Sequence, residues 1–417
     1  MAVPYLYSTS RPLQAAVRPS SSTPRTPCLL IVVVDACPIQ SWLIGKTYCF
    51  AVSSAIHAIH TNVLVVPLLS QTMNFQLIFA LSCVFVVVGA VTPPSPLRVD
   101  GLVAATFTPF KDDRARTFNP PVIEAYVDWL NSTGVKYVYA SGTTGESVKL
   151  TTAERLEQAQ AYVTVMKKFP SMKLIVHVGA ECLADAIAMA ENAEKIGADA
   201  IAAMPPSFFK PASVEALAAH MSAIAMAAPS LPFYYYHIPS MNSVVFPMYD
   251  LVLEMEKSGA PNFVGIKYTG LYQSPSFMDV AKIIGYKNNK YEVLCGRDEM
   301  MIEALAAGIT GFVGSQYNYA GDLYNSIRHA WQKGDIKRAR ELQLAAIHLL
   351  DVALHTLPKT ADGPKSVMSF VLPIGQARLP NLPVSSEEMA TLKAGTQQWC
   401  NGVADILSVQ LCARVTP

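Results

Sequence analysis

The chain has 417 residues, enough for one large core or two ordinary ones, with 32 basic against 31 acidic residues and 15% charged overall. A net charge of +1 with no block of like charges excludes the electrostatic footprint of a nucleic-acid or anionic-lipid binder. The eight cysteines form no CxxC pair, which excludes a zinc or dithiol redox motif; Cys400 and Cys412 can pair in an oxidising compartment, but free thiols are the preferred reading.

In chain order, residues 1–98 differ in kind from 99–417. The opening run "STSRPLQAAVRPSSSTPRTP" resembles a disordered or transit-like segment, and the apolar patches "CLLIVVVDAC" and "NVLVVPLL" carry no period. Residues 1–72 therefore read as low-order sequence or a gene-model extension. From Met73, "MNFQLIFALSCVFVVVGAVTPPSP" has the apolar length of a secretory signal peptide, with Val88-Gly89-Ala90 before a Pro-rich break but no positive n-region. A single membrane anchor is the competing reading of 73–98, since the run approaches the roughly 20 residues a span needs. If Met73 is the true start, a secretory route follows.

From Leu97 the pattern becomes regular. Eight apolar runs alternate with helical stretches: "GLVAATFTP", "KYVYASG", "KLIVHVG", "DAIAAMP", "PFYYYHIP", "NFVGIK", "YEVLCG" and "GFVGS". Strands separated by helix-length segments predict βα units around a parallel sheet. Eight such units in roughly 220 residues predict an α/β fold of the TIM (β/α)8 type, which takes about 250. A doubly wound sheet is the alternative, but no GxGxxG follows the first strand. Residues from about 320 onward read as a further helical layer, so 99–417 forms one barrel domain.

A barrel of this type builds its active site where strands run into βα loops, so the strand ends matter most. The sixth ends in "GIKYTG". A lysine is seldom fully buried unless paired or working; desolvation at a barrel mouth disfavours its ammonium and frees the amine of Lys267 as a nucleophile toward a carbonyl. The competing reading is a lysine snorkelling to the rim or paired with a carboxylate. The second strand ends in "SGTTGES", whose glycines permit backbone amides to converge on an anion, with Thr143 and Thr144 adding hydroxyls. It lacks the GK[ST] of a P-loop, so a small carboxylate fits better than a nucleotide phosphate. Thr151 or Thr152 is expected to cap the helix beginning "TTAERLEQA".

In "FYYYHIP" alternation puts Tyr234 and Tyr236 on one face and Tyr235 on the other; a phenol beside an imine-forming lysine can shuttle protons. His237 reads as structural. Asp298 and Glu299 end the seventh strand and suit sugar hydroxyls, while the lack of a His-rich partner argues against a metal.

Together "GTTGE", "YYYHIP", "GIK" and "DE…AGITGFVGSQYNY" resemble, in order and spacing, the N-acetylneuraminate lyase branch of the pyruvate-dependent class I aldolases, the superfamily shared with dihydrodipicolinate synthase. The resemblance runs from about Gly101 to "PIGQARLPNLP" near residue 383. It implies a Schiff base between Lys267 and the C2 carbonyl of pyruvate or open-chain sialic acid, with Tyr236 relaying protons. It implies that Thr143 and Thr144 hold the carboxylate and that Thr269, Gly296, Asp298, Glu299 and Ser315 meet the sugar end. No cofactor or metal is implied, and the expected partners are the small-molecule substrate and further copies in a homotetramer. The implied compartment is the cytoplasm, with membrane contact only if the leader persists as an anchor.

Met241 stands where similar synthases carry an arginine for a second carboxylate, which favours the lyase. At Asn242-Ser243-Val244 a usual glycine is missing, which leaves the loop geometry and the exact sugar acid open. Phe208 and Phe209 replace a tyrosine that some relatives lend to a neighbouring subunit, and they supply no hydroxyl. The expected activity is reversible cleavage of N-acetylneuraminate to N-acetylmannosamine and pyruvate. The alternatives are another pyruvate-dependent 2-oxo acid aldolase or a non-catalytic sialic-acid-binding barrel.

Overall fold

The computed structural model describes residues 97–270, 276–358 and 362–416. The expectations for 1–72, and for 73–98 except its last two residues, lie outside them. All eight apolar runs form strands: β1 (Gly101–Ala105), β2 (Tyr137–Ala140), β3 (Lys173–His177), β4 (Ala200–Ala203), β5 (Phe233–His237), β6 (Phe263–Tyr268), β7 (Glu292–Cys295) and β8 (Gly311–Gly314). Each pairs in parallel with its neighbours, and β8 returns to β1 to close the barrel. The runs are apolar on both faces because both faces are buried.

Alternation divides the strand residues between two cores. Val103, Ile175, Ala202, Leu294 and Val313 fill the barrel. Leu102, Val138, Ile201, Val293 and Phe312 face outward under the helices. Tyr234 and Tyr236 belong to the inner set and Tyr235 to the outer, as the alternation requires.

One irregularity positions the chemistry. The β5–β6 register slips between Phe233/Tyr234, so Phe233 pairs with Phe263 but Tyr234 with Gly265. The extra residue re-aims the rest of β6, as a bulge does, and sets Lys267 beside Tyr236. Gly265 is required there, because a Cβ would collide with the Glu292 carbonyl.

Helices follow the strands in turn, from Val122–Ser132 after β1 to Tyr317–Gln332 after β8. The last of these completes the eighth βα unit, so the additional layer starts at Ile336–His355 and continues with Gly363–Met368, Ser386–Val403 and Cys412–Val415. The "TTAERLEQA" helix opens with a capping box: Glu154 N–H donates to the Thr151 hydroxyl, and Thr151 N–H donates to the Glu154 carboxylate. Free thiols at Cys400 and Cys412 are not what forms. The chain turns back after the Ser386–Val403 helix, brings their Cα atoms to 5.6 Å, and the two join in a disulfide.

Candidate active site

Lys267 sits at the C-terminal end of β6 with 4% of its surface exposed, so it neither snorkels to the rim nor lies on a solvated face. Its Nζ stands 3.8 Å from the ring centroid of Tyr236 and 4.2 Å from that of Tyr139. Aromatic faces attract a cation at this range, so the pair fixes where the nitrogen rests.

The Tyr236 phenol oxygen lies 3.3 Å from Thr143 Oγ1, at hydrogen-bonding distance, which ties β5 to the loop after β2. That loop is anchored from below. The Ser141 hydroxyl donates to Gln158, Gln158 Nε2 donates to Thr108 Oγ1 at 2.8 Å, and the Thr108 hydroxyl donates to the Gly145 carbonyl. Thr143 and Thr144 remain open on the other side, where they line a cavity of about 420 Å³ with Ser315, Met241, Asp362 and Asn381. A slightly larger depression beside Glu256, Lys287 and Lys290 lies between outer helices, and its charges already pair with one another.

The seventh and eighth strands supply a polar wall. Asp298 is buried; its Oδ2 accepts from Gln316 N–H at 2.8 Å and from the Ser315 hydroxyl at 3.3 Å. Burial raises its carboxyl to about 6. Among the described residues Asp298 Oδ1 and Thr269 Oγ1 are both buried without a hydrogen-bond partner, which marks them as groups a polar ligand would satisfy. A Cβ at Gly296 would collide with the Thr269 hydroxyl, so the glycine makes room for that side chain. Glu299 turns aside. It pairs with Arg297 at 3.1 Å; of the expected site residues Thr143, Thr144 and Ser315 line the cavity, while Glu299, Asp298, Thr269, Gly296, Tyr236 and Lys267 lie outside its lining.

Two inward residues had no place in the sequence reading, Tyr139 and His177. Nδ1 of His177 lies 2.9 Å from the Ser141 carbonyl and must donate to it, while Nε2 accepts from Met204 N–H at 3.2 Å. This is the neutral tautomer, and burial, with Arg155 and Lys267 nearby, holds the ring well below its ordinary pKa. Its ring meets Tyr236 edge-on with centroids 5.9 Å apart. Their only sequence signal was inward register on β2 and β3. His237 points outward and stacks on Tyr268, consistent with a structural role.

The loop after β5 makes a left-handed turn without a glycine. Ser243 takes the left-handed conformation at φ +55°, and Asn242 Oδ1 accepts from Val244 N–H at 3.0 Å. An Asn side chain bonding two residues ahead is a known way to hold such a turn. Phe208 and Phe209 are 80% and 84% exposed and pack edge to face.

Comparison with known proteins agrees with this geometry. The profile of the Dihydrodipicolinate synthetase family matches residues 98–399. The N-acetylneuraminate lyase of Danio rerio is 39% identical over 290 residues, covering 69% of this chain and 92% of that protein. The Gallus gallus N-acetylneuraminate lyase is 36% identical over 311 residues, covering 73% and 98%. Among solved structures, Proteus mirabilis N-acetylneuraminate lyase superposes with a TM-score of 0.66 at 30% identity, covering 72% of this chain and 98% of its own. The native N-acetylneuraminate lyase (sialic acid aldolase) from Aliivibrio salmonicida gives 0.66 at 32% identity, covering 72% and 97%.

Proposed function

We propose that this chain, which belongs to the Dihydrodipicolinate synthetase family, reversibly cleaves N-acetylneuraminate to N-acetylmannosamine and pyruvate through a Schiff base on Lys267. The observation that carries the reading is a buried lysine amine over the ring of Tyr236, whose phenol meets Thr143 of a carboxylate-sized loop.

The amine of Lys267 attacks the C2 carbonyl of the open-chain sugar acid, and water leaves as the protonated imine forms. Thr143, Thr144 and the loop amides hold the C1 carboxylate. The Tyr139 and Tyr236 faces that attract an ammonium equally suit the iminium cation. The Tyr236 phenol gives its proton to the hydroxyl that leaves C2 as water, and the phenolate so formed takes the proton of the C4 hydroxyl as the C3–C4 bond breaks. The bonding electrons enter the iminium to give an enamine, and C4 departs as the aldehyde of N-acetylmannosamine. Protonation of the enamine at C3 and hydrolysis of the imine then release pyruvate and restore the lysine.

Asp298, Thr269 and Ser315 are assigned to the sugar hydroxyls, with Gly296 leaving room for Thr269 and Glu299 reaching the sugar after release from Arg297. Met241 in the cavity wall offers no countercharge to a second carboxylate, which favours a sugar acid over a dicarboxylic product. Pyruvate with borohydride should add a stable mass to Lys267; no adduct would sink the mechanism.

A homotetramer is the assembly the resemblance implies, and light scattering tests it. For the compartment, the resemblance favours the cytoplasm, whereas the Cys400–Cys412 disulfide and the apolar segment from Met73 favour a secretory route. Among the described residues no helix is long and apolar enough to cross a membrane. Sequencing the native N-terminus separates the two.

A further inference from the structure

Five charged side chains meet where the loop after β2 joins the C-terminal helical layer, and the chemistry above uses none of them. Glu146, the last residue of "GTTGE", is buried. Its Oε1 accepts from Lys365 Nζ at 2.6 Å, and its Oε2 accepts from Lys149 Nζ at 3.1 Å and from Arg378 N–H at 2.9 Å. Lys365, 1% exposed, also donates to the Thr108 carbonyl at 2.9 Å and stands 4.1 Å from the Phe110 ring centroid. The Arg378 guanidinium lies 4.6 Å from the same ring and donates to both carboxylate oxygens of Glu154.

The backbone explains why so many bonds converge there. Glu146 is left-handed at φ +57°, and Ser141 at the opposite end of the loop is left-handed at φ +58°. A residue with a Cβ is disfavoured in that region, so surrounding contacts must hold it. Ser141 is held by Gln158 through its hydroxyl and by His177 through its carbonyl. Glu146 is held by its carboxylate. Thr143 and Thr144 lie between these two pinned ends, so the directions of their hydroxyls and amides depend on both.

We propose that Glu146 is a positioning residue: its buried bonds to Lys365, Lys149 and Arg378 hold the Thr143–Thr144 loop in the conformation that receives the substrate carboxylate. The C-terminal layer thereby sets carboxylate affinity, from residues more than two hundred positions along the chain. The inference rests on the Schiff-base reading of Lys267.

The test compares two ketones, pyruvate and uncharged hydroxyacetone. Each forms an imine on Lys267 with loss of water, and cyanoborohydride reduces the C=N bond to a secondary amine. Second-order trapping rates are measured on the full chain, normalised to folded protein by circular dichroism. In Glu146→Gln the pyruvate rate should fall about tenfold or more, the scale of a lost charge-assisted contact, while the hydroxyacetone rate stays within about twofold. The double variant Glu146→Gln/Lys365→Met removes the buried Lys365 ammonium together with its partner, leaves the part-buried Lys149 to Asn381 and the Arg378 carbonyl, and is scored by the same ratio, which covers failure of the single variant to fold. A ratio equal to the unsubstituted protein's, whether both rates hold or both fall together, overturns the proposal. Absence of any pyruvate adduct in the unsubstituted protein overturns the Schiff-base reading instead.

Discussion

Replacing Tyr236 with Phe removes one hydroxyl and keeps the ring whose centroid lies 3.8 Å from Lys267 Nζ. The hydroxyl lost is the one at 3.3 Å from Thr143 Oγ1, and it is the group assigned to carry the C4 proton. A positioned acid–base group contributes about 10²–10⁴ in rate, which is about 2.7–5.4 kcal/mol of barrier at 1.36 kcal/mol per decade. The aromatic contact that places the amine survives, as do the loop anchors at Gln158 and Thr108. The expected result is a kcat lower by about 10²–10⁴ with KM altered by less than about fivefold. Pyruvate release is followed by coupling to lactate dehydrogenase, and adduct yield at saturating pyruvate is read by intact-protein mass. A kcat within threefold of the unsubstituted protein would refute the proton relay. So would an adduct yield falling as steeply as kcat, because ring placement rather than the phenol would then be responsible.

Other perturbations separate the remaining parts of the site and fold. Gly296→Ala forces a Cβ onto the Thr269 hydroxyl, so KM for the sugar acid should rise while pyruvate trapping stays intact; loss of trapping would mean wider damage. Asp298→Asn should likewise weaken the sugar acid, by about tenfold or more, and leave the pyruvate adduct unchanged by mass. At the opposite end of the barrel the Tyr234 hydroxyl lies 2.6 Å from the Leu97 carbonyl and 2.7 Å from Glu292 Oε2, yet it has one proton to give. Burial raises the Glu292 carboxyl to about 7, and in its protonated form the acid donates to Tyr234 while the phenol donates to Leu97. A folded value above the unfolded one gives stability that is full below about 4.5 and lost as pH rises through about 7, here roughly 2–3 kcal/mol between pH 5 and 8. Glu292→Gln should flatten that part of the denaturant-measured profile, and an unchanged slope would count against the protonated acid. Cys400→Ser opens a link spanning 12 residues and should cost about 2–3 kcal/mol in denaturant unfolding; no change would mean the bond adds nothing.

The strands were legible because parallel strands buried on both faces read as unbroken apolar runs, and each of the eight became one. Lys267, Tyr236 and the Thr143–Thr144 loop were legible because a barrel brings strand ends together whatever their separation in sequence. What escaped depends on contacts with no local signature. Lys365 meets Glu146 across 219 residues, and nothing in "GPKSVM" announces a buried cation. Tyr139 and His177 read as ordinary strand residues until the closed barrel turned them toward Tyr236. The loop at Asn242-Ser243 stayed open because its left-handed turn rests on the Asn242 side chain rather than on a glycine. Cys400 and Cys412 read as separate thiols because the reversal joining their helices is tertiary.

The central claim is that Lys267, and not the still more buried Lys365, is the imine-forming residue. Borohydride reduction in the presence of pyruvate, followed by peptide mapping of the full chain, tests it directly. The account predicts one adduct, on the peptide containing Lys267, that disappears in Lys267→Ala together with pyruvate release from N-acetylneuraminate. An unmodified Lys267, or an adduct on Lys365, would contradict it.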